Sequence, residues 1–467
     1  MPWGYSWRSS TGFIVSCISI ALFAEAFLYS FVVPILPYIL EDRNHVSPSA
    51  VQRLTYQVLT LYGAVAVVAG ILIGHVGDRI KSRRVPLILG LGLAFAGTLL
   101  LAISTRLYGV FIGRTLQAIG GVTAWIIGYA TLRDSIQSEN MGKTFGLVNA
   151  LVSAGALSGP AIAGLLLQVA GYWITWSVVL AVLIIDIIMR VIMIEKPKMS
   201  KVRFDGDGDI QHRASDNNQG PEYTSEQSPL LRRNTDISAA SFYRIILGQP
   251  RVIVGLLSYM LHSSLIASYN TTLPIHVKQA FGWGSLPAGL CFLALQAPAI
   301  IFSPLFGWLR DKIGTRTPTA LGFILLAPLL WLLGAAHKWD YYRWIGSEKN
   351  AKTIYIVAIV CIGCFQNLLT SVGTIEITCT VDELQEKHPG IFGPHGGYSR
   401  SYSLSNISFT MGFLVGPLLS GALTDSLGYS YMNLVLACIC VAMSLLAFTF
   451  LKGKSSIQSR RSDNASD

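Results

Sequence analysis

The chain has 467 residues, with 35 Lys and Arg against 25 Asp and Glu, so only 13% are charged; an ordinary soluble domain carries ~25%. Hydrophobic residues make up 52% and mean hydropathy is +0.51. A soluble chain of this length would form roughly three domains and would need more charge to cover them. The composition therefore argues against a soluble enzyme and for an integral membrane protein.

A spanning helix needs ~20 mostly apolar residues. Twelve runs qualify: 12–37, 54–77, 85–104, 107–131, 144–168, 172–194, 251–275, 285–309, 318–337, 353–376, 401–425 and 429–451. None alternates apolar and polar with a period near two, so a β-barrel is excluded. The predicted fold is an all-α membrane protein with twelve transmembrane helices. The first run is long and continues as a span, so it reads as an anchor, and no cleavable signal peptide is evident. Between the sixth and seventh runs the chain turns polar, from Glu195 to Pro250. This predicts an N-terminal six-span bundle over 1–194, a cytosolic loop over 195–250 and a C-terminal six-span bundle over 251–451. A polar cytosolic tail follows over 452–467.

The net charge of +10 sits in short loops between apolar runs, which fits membrane topology and not nucleic acid. With the N-terminus in the cytosol, 25 Lys and Arg lie on the cytosolic side and 8 outside. Both termini are therefore expected in the cytosol. The seven cysteines lie in or beside apolar runs and form no disulfide framework. Cys361 and Cys364 form a C-x-x-C inside a span, where a redox or metal role is not expected.

The halves repeat each other. After span two stand Gly74, Asp78, Arg79, Lys81, Arg83 and Arg84; after span eight stand Gly307, Asp311, Lys312 and Arg316. Both follow G-x-x-x-D-[RK] with basic residues behind. Span five holds Gly155, Gly159, Pro160 and Gly164 at the spacing of Gly412, Gly416, Pro417 and Gly421 in span eleven. Two motifs recurring in the same order mark a duplicated bundle.

These loop and Gly-Pro motifs, with Arg114-Thr-Leu-Gln117 in span four, resemble the major facilitator superfamily over nearly the whole chain outside the central loop and tail. Phe31 to Pro37 at the end of span one and Thr410 to Pro417 in span eleven resemble twelve-span drug:proton antiporters, especially vesicular amine transporters. Ser228 to Leu231 in the central loop is similar to fungal metabolite and drug exporters. The resemblance implies two pseudo-symmetric six-helix bundles that alternate access to a central cavity. It also implies a loop motif that latches the cytosolic side, and a span-five motif associated with antiport. Lys81 and Ala118 stand where the family prefers glycine.

Physical reasons stand beside the likeness. A carboxylate at Asp78 near the start of span three is favoured by the helix dipole. Arg79, Arg83 and Arg84 can bond headgroups or neighbouring helix ends. Gly74, and the small residues four apart at Gly155 and Gly159, permit close helix approach, and Pro160 and Pro417 add bends. The Gly-Pro copies are also readable as packing alone. Glu25 is the most telling residue. It lies thirteen positions past Gly12, roughly 20 Å along the helix at ~1.5 Å per residue. An intramembrane carboxyl is costly and is a functional candidate by default. Vesicular amine transporters carry an acidic residue at this position.

The rest of that family's charge set is absent. The span-two lysine position is Tyr62, and the acidic positions of spans seven, ten and eleven are Asn270, Thr370 and Asn406. Charge is lost on both sides together, which avoids a buried unpaired ion. This points away from a monoamine and toward a larger neutral or weakly charged organic molecule. Arg114 either reaches back to the outer surface or stands as a fixed charge in the cavity with Glu25. Asp186 and Arg190 are four apart and expected to pair, and Glu376 is placed near the inner end of span ten. Tyr29, Gln117, Gln296, Gln366 and Asn367 join Tyr62, Asn270 and Asn406 as expected cavity residues.

The chain shows no nucleophile constellation, phosphate loop or metal cluster, so neither enzymatic activity nor a cofactor is expected. Asp205 to Asp209 lacks the glycine of a calcium loop. Glu226 to Leu231 fits a dileucine sorting signal, which would direct the protein to vesicles or a vacuole. The expected function is a monomeric proton-coupled exporter of small organic molecules, by lean in the plasma membrane. An importer on the same fold and a weakly transporting nutrient sensor are the alternatives.

Overall fold

The computed structural model describes residues 5–77, 83–135, 141–194, 239–336, 347–388, 391–392 and 398–453. Among them all regular structure is helical apart from one isolated bridge, Gly314 to Gly453. Lipid offers backbone groups no partners, and a helix satisfies them within itself. The first bundle holds spans one to six: Thr11–Tyr38, Pro48–Gly77, Arg84–Ile103, Leu107–Ser135, Met141–Val169 and Tyr172–Ile192. The second holds spans seven to twelve: Pro250–Phe281, Ser285–Ile313, Arg316–Ala336, the split helix Glu348–Gln366 with Val372–Lys387, Tyr398–Leu427 and Tyr429–Phe450. Eleven spans are long and apolar enough to cross a membrane. The eighth is 29 residues long, and its described apolar stretch is Ser285–Pro298.

Three boundaries differ from the hydropathy reading. Span seven begins with Pro250 in its first turn and runs to Phe281, where Gly282 ends it at φ 65°; the polar residues of its last turns had hidden it. The stretch assigned to the central loop ends in a helix, Ala239–Leu247, whose Phe242 and Ile246 pack with Val252, Leu256, Ile377 and Val381. Span ten is broken: after Gln366 come a 3-10 turn over Asn367–Leu369 and Ser371 at φ 61°, and helix resumes at Val372. The Arg310 guanidinium takes up the Thr370 carbonyl that the break leaves free.

Glycine sets the helix contacts. A side chain at Gly155 or Gly159 would collide with the backbone or side chains of Phe23, Phe27 and Ser30 in span one. Gly412 and Gly416 meet Met260, Ser263 and Ser264 of span seven in the same way. The third glycine of each motif crosses to the other half, Gly164 to Ser285 of span eight and Gly421 to Tyr56 of span two. Gly63 against Phe413 and Gly289 against Pro160 continue these seams. Gly74 is different: a Cβ there meets no described atom within 4 Å. Among the described residues, the close approach expected of Gly74 is therefore not made.

Asp78 and Arg79 lie outside the described residues, as does the side chain of Asp311. Arg83 precedes the first turn of span three, and the Arg84 guanidinium donates to the Val191 carbonyl ending span six. In the other half Arg316 lies 4.2 Å from the Phe448 ring at the end of span twelve. The basic residues thus tie the start of each third helix to the end of each sixth, where carbonyls lack helical partners. At the same end of the second bundle Arg251 pairs with Glu376 and with Glu383 at 2.6 Å, Lys452 pairs with Glu383 at 2.8 Å, and Thr315 donates to Glu376. Glu376 is fully buried and therefore serves as a structural tie between spans seven, nine and ten, not as a cavity group.

At the opposite end the halves are joined. Glu41, just past span one, pairs with Lys278 near the end of span seven, and the Lys278 ammonium lies 4.7 Å from the Tyr38 ring. Ser285 donates to the Gly164 carbonyl at 3.1 Å, and the Gln168 side chain accepts from Leu286 N at 3.3 Å.

Two outcomes follow. Oxidising a Glu41→Cys/Lys278→Cys pair should cut transport by about tenfold or more, restored by reductant, as read by flux in cells. Arg251→Ala should leave Glu376 as an unpaired buried charge and cost about 3–5 kcal/mol. Thermal unfolding of the purified protein checks this, with partial recovery expected in Arg251→Ala/Glu376→Ala.

Candidate functional site

The strongest polar cluster among the described residues lies on spans one, two, four and seven, with Glu25 and Tyr62 near the middle of their helices. Glu25 is 5% exposed. The Tyr62 hydroxyl of span two donates to its Oε1 at 3.0 Å. Its carboxyl lies directly on the Cα of Gly121 in span four, in space that any Cβ there would occupy. Gly121 therefore makes the room that lets a Glu side chain sit between helices.

Arg114 completes the cluster. It is fully buried, so it does not reach back to the outer surface. Its Nη1 donates to Gln117 Oε1 at 2.8 Å, and Gln117 Nε2 donates to Thr98 Oγ1 at 2.9 Å. Thr98 in turn donates to the Ala94 carbonyl at 2.7 Å. This chain of bonds fixes the guanidinium under two aromatic faces, with its carbon 4.8 Å from the Tyr62 ring and 5.3 Å from the Tyr29 ring. Cation–π attraction of this kind strengthens when water is excluded. Arg114 Nε and Nη2 donate to no group among the described residues. Tyr29 packs on Tyr62 at 4.9 Å and on Phe413 of span eleven at 5.3 Å between ring centroids. Asn270 of span seven stands at the Tyr29 hydroxyl. Residues of both halves thus meet at Tyr29, one helical turn from Glu25 on the same helix.

Arginine keeps its charge in any protein environment. Protonating Glu25 therefore changes the cluster from neutral to a net positive charge, in a place where an unpaired ion is costly. That gives one proton leverage over how the surrounding helices pack.

Six expected residues come together here: Glu25, Tyr29, Tyr62, Arg114, Gln117 and Asn270. The others do not join them. Gln296 donates to the Ala156 carbonyl across the span five–eight seam at 3.3 Å. Gln366 and Asn367 lie at the span-ten break, with Asn367 Nδ2 on the Gly363 carbonyl at 2.7 Å. Asn406 is exposed on span eleven. Gly121 and Thr98 were missed by sequence reasoning. The adjacent Gly120 and Gly121 in the middle of an apolar run were the available signal, since paired glycines in a spanning helix mark close contact.

Residues 18–382 match the family model of the Major Facilitator Superfamily. The chain belongs to this superfamily. An uncharacterized MFS-type transporter of Schizosaccharomyces pombe is 28% identical over 94% of this chain and 96% of its own. The MFS-type transporter ppzB of Metarhizium rileyi is 27% identical over 96% and 97%. The human chromaffin granule amine transporter is more distant, at 20% over 80% of this chain and 61% of its own. Two solved structures share the fold. A bacterial homolog of the human lysosomal transporter Spinster, inward-facing and unoccupied, has a TM-score of 0.64 at 13% identity over 94% of this chain and 97% of its own. The nucleoside transporter NupG has 0.64 at 12% over 94% and 98%. This superfamily member is a multi-pass secondary transporter that moves a small molecule across a membrane.

Tyr62→Phe keeps the ring under Arg114 and removes the hydroxyl on Glu25. Losing one such hydrogen bond, worth about 1.5–3 kcal/mol when a charge is involved, should lower the transport rate by about tenfold or more at unchanged expression, as measured by flux in membrane vesicles. Gly121→Val, which displaces the carboxyl, should abolish it.

Proposed function

We propose that this transporter is a proton-coupled antiporter that exports small organic molecules by alternating access. The observation that carries the reading is the Glu25 carboxyl: buried at mid-span, hydrogen-bonded by Tyr62, seated on Gly121 and placed beside the fixed charge of Arg114. Glu25 takes a proton from outside and releases it inside, in exchange for substrate. The Gly-Pro seams let the two bundles rock about this centre. Both termini lie in the cytosol, and the Glu41–Lys278 tie closes the outer end in the conformation described here.

The substrate class follows from what the cluster lacks. Relatives named as amine and acetylcholine transporters share this scaffold. Here Tyr62, Asn270 and Asn406 stand at positions that the family resemblance assigns to charged groups, and at the Glu25 cluster Tyr62 is joined by the aromatic faces of Tyr29 and Phe413. Such a site favours a neutral or weakly charged organic molecule, drug-like or a secondary metabolite. The plasma membrane is the proposed location, with a vesicle or vacuolar membrane as the alternative.

Glu25→Gln should fold and reach the membrane while losing proton-driven transport by about a hundredfold; full proton-driven flux in that variant would rule out the role of Glu25. The direction is read by untargeted mass spectrometry of cells with and without the protein. A compound that accumulates inside cells lacking it supports export and names the substrate, and one depleted inside them means import.

A further inference from the structure

Span six buries one stripe of its surface: Thr175, Trp176, Val179, Leu183, Asp186 and Arg190. The spacing is that of a helix face turned into a bundle. The opposite face, with Ile184, Ile185, Ile188 and Val191, is exposed. Two charged side chains therefore occupy positions where the pattern calls for core residues, and both are 0% exposed.

The pair they form is a poor structural clamp. Arg190 Nε and Asp186 Oδ1 are 3.9 Å apart, beyond hydrogen-bond distance. Among the described residues, neither Asp186 oxygen accepts a hydrogen bond, and Arg190 Nε and Nη2 donate to no group. Arg190 Nη1 reaches only the Met193 sulfur, at 3.9 Å. Well-packed hydrophobic residues would stabilise such a site as well or better. A buried polar group without partners calls for another explanation. The Arg251–Glu376 network in the other half shows the contrast, since there the carboxylate is hydrogen-bonded by both Arg251 and Thr315.

The surroundings fix where the pair lies. Span one passes beside it at Cys17, whose thiol is 3.7 Å from the Met189 carbonyl. Glu25 stands eight residues further along span one, about 12 Å along the axis. Toward the end of the bundle that carries the termini, Arg8 and Arg84 donate to the Ile192 and Val191 carbonyls. The charged and titratable groups around Asp186 are thus Arg190 on its own helix, Cys17 and Glu25 on span one, and Arg8 and Arg84 one to two turns beyond.

We propose that Asp186, held by Arg190, is a second proton-binding site, on the path between Glu25 and the end of the bundle that carries the termini. This rests on the reading of Glu25 as the coupling carboxyl. The Glu25 carboxyl gives up its proton, and the Asp186 carboxylate takes it. Arg190 keeps its charge and loses its partner, and the proton then leaves to water at that end. Glu25 and Asp186 share no hydrogen bond, so the transfer requires water to enter between them as the helices move. Arg190 makes the site transient, because its charge favours return of Asp186 to the carboxylate.

The titration itself needs no substrate. Infrared difference spectra of the purified full-length protein in lipid nanodiscs, taken between about pH 5 and 9, follow the carbonyl stretch of protonated carboxyls. Asp186→Asn leaves Arg190 unpaired in the interior, so Asp186→Asn/Arg190→Gln is measured beside it. The expected result is a titrating carboxyl band that both variants lose. Glu25→Gln should retain it, with its midpoint moved by about half a pH unit or more through coupling of the two sites. Identical titrations in wild type and both Asp186 variants would show that Asp186 neither takes up nor releases a proton in this range and overturn the proposal. A band lost with Asp186 but unmoved by Glu25→Gln would overturn its place on the path. A band lost with Asp186, together with proof that Glu25→Gln still transports at full rate, would leave the proton site standing and remove the Glu25 reading instead.

Discussion

Close backbone contact between spans one and five, and between spans seven and eleven, is the constraint on which the rest of the molecule depends. Lipid tails are as apolar as leucine, so helices in a bilayer gain little by hiding apolar surface from it. They associate by packing, and packing is tightest where there is no side chain. Gly155 and Gly159 bring span five onto the backbone of span one at Phe23 and Phe27. Those positions flank Glu25 and so set its depth and rotation. Gly412 and Gly416 fix span seven in the same manner. The third glycine of each motif turns to the opposite bundle, which makes one helix a member of its own half and of the seam between halves. A rocking motion needs that double membership, because the seam must loosen while the bundle stays whole.

Charge is distributed less symmetrically than shape. In the second bundle the buried carboxylate Glu376 is satisfied by Arg251 and Thr315, and Glu383 is shared between Arg251 and Lys452. Its middle is lined by neutral amides such as Gln296, Gln366 and Asn367. In the first bundle Glu25, Arg114, Asp186 and Arg190 are all buried, and several of their atoms have no protein partner. Fully bonded charges hold a fold in one state, whereas incompletely bonded ones are sensitive to a proton. Among the described residues, the duplicated scaffold thus carries fully bonded charges in one half and incompletely bonded ones in the other. The broken tenth span adds a further asymmetry. Its free Thr370 carbonyl depends on Arg310, the neighbour of Asp311 in the loop motif, so a change in that loop reaches the middle of the second bundle.

The amino-acid sequence by itself determined the twelve spans and the duplicated order of motifs, and it singled out Glu25 as a carboxyl inside a span. Lipid permits few backbone solutions and tolerates few charges, so hydropathy and a lone carboxyl are direct readouts of membrane physics. Positions four apart in Gly155 and Gly159 share a helix face by geometry alone, and their packing role was legible for that reason. Only the tertiary structure decided what touches what. Tyr62 stood in the sequence as the replacement for a lysine, and the fold made it the hydrogen-bond donor to Glu25. Gly121 carried no chemical label until the carboxyl was found resting on it. Arg114 had two readings on its own helix, and the bonds to Gln117 and Thr98 selected the buried one. The span-ten break, the helix at Ala239–Leu247 and the open space at Gly74 were equally invisible. Each depends on contacts between segments distant in the chain, and periodicity within one helix carries no record of its neighbours.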